Sequence, residues 1–154
     1  MISLGNDIIK FFESQGYVIV STVTKTGAVH NSCKGIFEIN QKGTIYLCDL
    51  YHGATYKNLV ASSTISVTAV DEHRFKGYCL QGTAKVVRAD KLSSLLLTQW
   101  EARIASRITQ RLLKNITGTK GHPLHPEALL PEPKFIIVVH VAKIIDLTPQ
   151  HITS

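Results

Sequence analysis

The feature that most constrains this fold is a run of short β-branched segments, each followed by a turn or a polar connection. "YVIVSTV" is followed by "TKTG", "AVHNSCKGIFEI" is followed by "NQKG", and "TIYLCDL" leads into a longer polar stretch. Segments rich in Val, Ile and Thr that alternate with glycine turns predict antiparallel strands joined as a meander. Gly35, inside the second segment, predicts a β-bulge or a point of close approach.

Three more segments bring the number of predicted strands to six: "TISVTAV", "GYCLQGTAKVV" and "KFIIVVHVAKIIDL". The last one shows almost no alternation of polar and apolar residues, which indicates a strand covered on both faces. Short antiparallel strands with one long late helix predict a closed or partly open barrel, and we expect a single domain over residues 1–154.

Helices are predicted on either side of these strands. Residues 6–15 are amphipathic, with Asn6 or Asp7 as the cap. From Asp90, the predicted cap, to Ile116, apolar residues recur every four positions and predict one face of a long helix. The members of that face are Leu92, Leu96, Trp100, Ile104, Ile108 and Leu112. Residues 117–134 carry four prolines and two glycines and are expected to form a loop.

Composition limits the class of protein. The chain has 154 residues, 44% hydrophobic and 18% charged, which is typical of one globular domain. Its net charge of +6 favours an anionic partner. Three cysteines without metal-type spacing predict reduced thiols. No signal peptide is recognisable and the longest apolar run is far too short for a membrane span, so we expect a soluble cytoplasmic protein without a membrane partner.

The stretch "YHGATYKNL", residues 51–59, is where a short helix is expected to begin between two strands. The first turn of a helix carries unpaired N–H groups and the positive end of the helix dipole, a natural seat for a phosphate. Thr55 can give its hydroxyl to such an oxyanion, and Lys57 adds a full positive charge. The alternative is structural: Thr55 is a plain N-cap and Lys57 is solvated.

The order of these elements resembles the FMN-binding split barrels, the relatives of pyridoxamine phosphate oxidase. The motifs that carry the resemblance are "GAVHNSC", "GIFEINQKGTIYLCDL", the "T-x-K" helix start at Thr55 and Lys57, and "YCLQGTAKVV". They span roughly residues 6 to 88, and the final strand also fits. The resemblance implies a six-stranded antiparallel split β-barrel that forms a homodimer and holds FMN in a groove between the two subunits.

The resemblance also implies which residues hold FMN. Thr55 and Lys57 would bind its phosphate. The flavin ring would lie beside His30, Asn31, Ser32 and Cys33 on the second strand. The end of the third strand would contact the ring and the ribityl chain through Leu47, Cys48 and Asp49.

The sequence departs from pyridoxamine phosphate oxidase at one strand position and near its C-terminus. Where that enzyme has a phosphate-binding arginine on the second strand, this chain has Asn31. Its substrate-binding Arg and His pattern near the C-terminus is also missing. The small bacterial FMN-binding proteins, with an Asn in a similar place, are closer in pattern.

Other polar patterns are given structural interpretations. His122 and His125, in "HPLHP", lie on a proline-bounded stretch without a completing ligand set, so no metal site is predicted. A basic stripe recurs every four residues on the long helix and is interpreted as a solvated face, with contact to nucleic acid or to a partner subunit as the alternative. No aromatic stacking residues accompany the stripe, which makes nucleic acid an unlikely partner. That stripe consists of Arg103, Arg107 and Arg111. His140, in the last strand, is interpreted as a core histidine with its hydrogen bonds satisfied.

The resulting functional hypothesis is an FMN-dependent oxidoreductase that uses a reduced nicotinamide donor. No side chain stands out as a general acid or base, so no catalytic residue is assigned. Two alternatives stay open: an FMN carrier or electron-transfer module without enzymatic activity, and a basic anion- or nucleic-acid-binding barrel without flavin. The sequence names neither the substrate nor the redox potential, and it leaves haem and deazaflavin open as cofactors.

Overall fold

The computed structural model describes residues 1–49, 53–118, 121–122 and 135–153. The strands are β1 (Val18–Val23), β2 (Val29–Ile39), β3 (Thr44–Asp49), β4 (Thr64–Asp71), β5 (Lys76–Arg88) and β6 (Phe135–Asp146). The helices are α1 (Asn6–Glu13), α2 (Ala54–Ala61), α3 (Ser94–Ile116) and α4 (Gln150–Thr153). A single 3₁₀ turn, Ala89–Lys91, precedes α3.

The six strands form one closed barrel in the order β1-β2-β3-β6-β5-β4, and β4 pairs back onto β1. Every pairing is antiparallel. The prediction of a mainly β, six-stranded antiparallel barrel with one long helix is therefore confirmed. The last strand of the chain closes the barrel by pairing with both β3 and β5. Its neighbouring residues Ile136 and Ile137 are both fully buried, which explains why its sequence barely alternates.

The barrel interior is filled by aliphatic side chains from all six strands, among them Val20, Leu47, Val67, Leu80 and Val139. Helix α1 adds Phe11 and Phe12 to this core, with the Phe11 ring 5.1 Å from that of Tyr78. Helix α2 packs against β1, β2 and β5 and adds Leu59. Helix α3 contributes no fully buried side chain.

Three predicted helix caps are wrong. The N-cap of α1 is Gly5, without a side-chain hydrogen bond, and neither Asn6 nor Asp7 fills that role. The N-cap of α2 is Gly53, so Thr55 is not a cap. The long helix starts four residues after Asp90, at Ser94, and its N-cap is Ser93, whose hydroxyl accepts from the Leu96 N–H. Ser93 is a preferred type of N-cap residue and lies closer to the start of the apolar pattern than Asp90.

Of the two roles predicted for Gly35, close approach is confirmed. The irregularity in the β2–β3 register falls between Ile36 and Glu38, past the glycine. A Cβ atom at Gly35 would lie 2.8 Å from the Arg107 Nη1 atom of α3. The missing side chain therefore gives room to an arginine that crosses the outside of the barrel.

Two other predictions concern His140 and the loop at residues 117–134. The Nδ1 atom of His140 is buried without a hydrogen-bond partner within the described ranges, so the histidine is not a satisfied core residue. Most of the predicted loop, residues 119–120 and 123–134, lies outside the described residues, as does His125.

Candidate functional site

The candidate residues on β2 divide between the two faces of the barrel wall. Ser32 pairs with Val20 and His30 pairs with Thr22, and both partners on β1 are buried inside the barrel. Directly opposed residues of an antiparallel pair share one face, so Ser32 and His30 lie on the inner side near the barrel mouth. Asn31 and Cys33 alternate with them and are exposed on the outer face.

The third strand shows the same division. Leu47 and Asp49 are fully buried, whereas Cys48, between them, is half-buried on the outside and opposite Gly35. The Leu47 side chain belongs to the core. The Asp49 carboxylate forms an ion pair with Lys34, with Oδ1 2.8 Å from Nζ. The second oxygen of Asp49 has no hydrogen-bond partner in the described part of the chain.

Helix α2 lies at the mouth of the barrel with one face inward and one outward. The Thr55 hydroxyl is 2.9 Å from that of Ser32, and the Asn58 Nδ2 atom donates to the Thr22 hydroxyl at 3.0 Å. Thr55 and Asn58 are buried, as residues one turn apart on a packed face should be. Lys57 lies on the other side of the helix and is exposed.

Helix α3 contacts the outside of β2. Arg103, Arg107 and Arg111 are all half-buried, so the prediction of a solvated basic face is wrong. The Arg103 Nη2 atom donates to the Glu13 carbonyl oxygen at 3.5 Å. Burial lowers the pKa of Arg103, and the neighbouring charge of Arg107 lowers it further. The long aliphatic stems of arginines can cover a barrel wall while their charged ends stay at its edge.

The two outer-face cysteines differ in environment. Cys33 is exposed, whereas burial raises the pKa of the Cys48 thiol to about 11, with the Asp49 carboxylate adding to the shift. Cys48 is therefore a neutral thiol at physiological pH. All three cysteines are free, as predicted.

The structure thus brings the candidates together around one end of β2 and β3 but on two faces. The inner group consists of Thr55 on α2 and of four residues on the inner side of the barrel wall, His30, Ser32, Leu47 and Asp49. The outer group consists of Asn31, Cys33 and Cys48. Lys57 stands apart from both, exposed on α2.

Sequence reasoning missed Lys34, Thr22 and Asn58 as members of this region. Lys34 could have been predicted from the alternation along β2. It occupies the next inward position after His30 and Ser32, and a buried lysine needs a partner there. No sequence pattern could have predicted Thr22 and Asn58, since their contact joins residues 36 positions apart.

Neither a metal site nor a membrane span emerges from the described residues. No group of three His, Cys, Asp or Glu side chains is arranged to hold a metal ion within these ranges. Across the same residues, no helix has the length and apolarity needed to traverse a membrane.

The family model for pyridoxamine 5'-phosphate oxidase matches residues 6–145. The chain therefore belongs to the pyridoxamine 5'-phosphate oxidase family, which confirms the resemblance. A search of curated protein sequences gave no match.

Solved structures with the same fold include proteins named as an F420 reductase and as a haem storage protein. HupZ from Group A Streptococcus is 18% identical, with a TM-score of 0.63 and 94% of each chain covered. An F420 reductase is 14% identical, with a TM-score of 0.55 over 88% of this chain and 94% of that one. HutZ, the haem storage protein from Vibrio cholerae, is 17% identical, with a TM-score of 0.54 and 94% of each chain covered. At these identities the likeness establishes the fold alone.

Proposed function

We propose that this protein binds FMN and acts as an FMN-dependent oxidoreductase with a reduced nicotinamide donor. The observation that carries the proposal is the position of α2. Its first turn lies at the barrel mouth, includes the exposed Lys57 and contains no acidic residue. The first N–H groups of a helix have no partner within the helix and favour an anion. Membership of the family supports FMN as the ligand that supplies the phosphate.

The donor set fits a flavin phosphate. Lys57 is exposed, and its flexible side chain can reach a phosphate group at the helix start. Apart from its chain neighbours, no described residue has an atom within 4 Å of the point where a side chain on Gly53, the N-cap, would project. Within the described residues no carboxylate lies in the first turn to compete for the site. The Thr55 hydroxyl is less available, because Thr55 is only 1% exposed and its hydroxyl is shared with Ser32.

On this proposal the flavin ring lies along the outer face of β2 and β3. Asn31 and Cys33 are exposed there, and Ile19, opposite Cys33, leaves 38% of its surface exposed. Arg107 of α3 covers Gly35, which limits this open surface to the part of β2 that precedes the glycine. An apolar slot with a few polar groups suits a three-ring ligand. Ser32, Leu47 and Asp49 would then support this wall from inside the barrel.

FMN, when bound, supplies the capacity to accept and release a hydride, and the chain binds and orients it. Asn31 offers both hydrogen-bond donors and an acceptor to a polar ring edge. The neutral thiol of Cys48 places no negative charge in that part of the wall. Lys57 provides the charge that distinguishes FMN from riboflavin, which lacks the phosphate.

A second copy of the chain is proposed to complete the site. The outer face of β2 is open at Asn31 and Cys33, whereas a ligand of this size is normally mostly buried. Helix α3 also leaves large apolar side chains exposed: Leu95, Leu112, Leu113 and Ile116. A two-fold dimer that shares its ligand would make assembly and FMN binding depend on each other. Sedimentation over a dilution series, with and without FMN, tests this link, and a monomer that binds FMN tightly would contradict it.

The visible absorption spectrum during titration with FMN tests the proposal itself. A saturable flavin spectrum is expected, and FMN at about a hundredfold over its Kd should stabilise the fold by roughly 2.7 kcal/mol. Haem serves as the competing ligand, because the haem storage protein HutZ shares the fold. Saturable binding of haem with no binding of FMN would overturn the proposal.

Two further assays separate the alternatives. Steady oxidation of a reduced nicotinamide by the FMN-loaded protein would distinguish an oxidoreductase from an FMN carrier. Salt-sensitive binding of nucleic acid without FMN uptake would instead favour a basic binding module.

A further inference from the structure

Helix α2 is held on the barrel mouth by two side-chain hydrogen bonds and by apolar contacts of Leu59 and Tyr56. Ser32 pairs with Thr55 at 2.9 Å, and Asn58 donates to Thr22 at 3.0 Å. Leu59 belongs to the core, and the Tyr56 ring lies 5.2 Å from that of Phe135 on β6. Lys57 and Val60 are exposed.

Three of these four polar residues are unusual for their surroundings, because they are buried. Thr22 and Thr55 are each 1% exposed, and Asn58 is 9% exposed. Valine in place of the two threonines would fill nearly the same volume without a hydroxyl that requires a partner. Apolar contacts are non-directional, whereas hydrogen bonds weaken steeply with angle, so the two pairs fix the rotation of α2 more narrowly than the contacts of Leu59 and Tyr56 do.

The rotation of α2 about its axis determines the direction in which the Lys57 side chain projects. Lys57 lies between Thr55 and Asn58 in sequence, so its direction is set as soon as those two side chains are fixed inward. Helix α2 has no side-chain hydrogen bond at its N-cap to orient its first turn independently. The two pairs are therefore the contacts that aim both the first-turn N–H groups and the Lys57 ammonium.

We infer that Thr22, Ser32, Thr55 and Asn58, which we name the α2 clamp, are positioning residues for phosphate recognition. This inference rests on the proposed function and refines it. Thr55 acts through Ser32 as an anchor of the helix, in place of the direct phosphate contact expected from the sequence. Selectivity for FMN over riboflavin then depends on Thr22 and Asn58, which the T-x-K pattern does not include.

Thr22→Val is the sharpest test, since the change removes one buried hydroxyl at the barrel mouth and leaves Thr55 and Lys57 in place. We expect the Kd for FMN to rise about tenfold while that for riboflavin changes less than twofold, because only the phosphate contacts depend on the aim of α2. Thr22→Ser keeps the hydroxyl and should restore FMN binding. Thr68→Val, the same change at a half-buried position of β4, is the matched control and should behave as wild type.

Ser32→Ala provides a milder second variant if Thr22→Val folds poorly, and it should show the same selective loss of FMN. Equal losses for FMN and riboflavin would mean that the clamp is merely structural and would overturn the inference. So would an unchanged FMN affinity in both variants.

Hydrogen exchange on the flavin-free protein separates failure of this inference from failure of the proposed function. Thr22→Val should speed exchange of the α2 amides well before it affects the strands, whereas Thr68→Val should not. Unchanged α2 exchange would overturn the clamp whatever the flavin titrations give. If the wild-type protein takes up no FMN, the proposed function fails, and the role of the clamp in phosphate recognition fails with it.

Discussion

Helices α2 and α3 are attached to the same barrel in opposite ways. Helix α2 has eight residues and buries Thr55, Asn58 and Leu59. Helix α3 has 23 residues and buries none completely. The short helix is fixed by hydrogen bonds and a core leucine, whereas the long helix rests on β2 through half-buried arginines. Length and apolar content are therefore poor guides to how firmly a helix is held. What matters is whether its side chains enter the barrel.

The largest effect is expected inside the barrel mouth, at the Lys34–Asp49 pair. The Lys34 side chain is 12% exposed and that of Asp49 is 0% exposed. Lys34→Met should destabilise the fold by about 3–5 kcal/mol, because it leaves a buried carboxylate without its counter-ion. The double variant Lys34→Met/Asp49→Leu removes both charges and should recover much of that loss. Urea unfolding of the three proteins measures both steps, and a double variant no more stable than Lys34→Met would contradict this reasoning.

The comparison between the helices can be tested with one substitution on each. Leu59→Ala in α2 should cost about 2–4 kcal/mol, since Leu59 is 6% exposed in the core. Leu113→Ala in α3 should cost less than about 0.5 kcal/mol in the monomer, because Leu113 is 58% exposed. Thermal or urea unfolding at low protein concentration gives both values.

Leu113→Ala could instead lower the free energy of unfolding by more than this, to an extent that depends on protein concentration. That result would indicate that a second copy buries α3, in line with the proposed dimer. A large loss independent of concentration would contradict the picture of a loosely seated helix.

The smallest effect concerns the two thiols of the outer wall. With a pKa of about 11, Cys48 has about a thousandth of its molecules as thiolate at pH 8, so iodoacetamide should modify it far more slowly than the exposed Cys33. The raised pKa also means that Cys48 contributes stability below pH 9.0 that is lost as the pH rises towards 11. Peptide mapping after timed alkylation checks the first point. Equal rates at pH 8 would show that Cys48 is not buried as described.

The barrel was predictable because its strands are recorded in local patterns. Glycine turns at Gly27 and Gly43, both with positive φ, separate β-branched runs whose identity needs no long-range information. The long helix was predictable for the same reason, although its start was placed too early at Asp90. The recurrence of apolar residues indicates a helix but does not indicate which elements pack against it.

The rest depended on contacts that a sequence pattern does not contain. Arg103 and Arg107 lie one residue before Ile104 and Ile108, so one helix face can bury both types, and only the packing decides. The division of β2 into inner and outer candidates required the register of Ser32 against Val20. The bond between Thr22 and Asn58 required the folded barrel itself.

The most direct measurement of the central claim compares Lys57→Ala with Lys42→Ala. Both lysines are exposed, but Lys42 lies on the β2–β3 turn, away from α2. Charge-assisted hydrogen bonds are worth about 1.5–3 kcal/mol, so Lys57→Ala should raise the Kd for FMN by roughly tenfold or more and leave the Kd for riboflavin nearly unchanged. Lys42→Ala should alter neither. If Lys57→Ala weakens FMN and riboflavin equally, or weakens neither, the flavin phosphate is not bound at the start of α2.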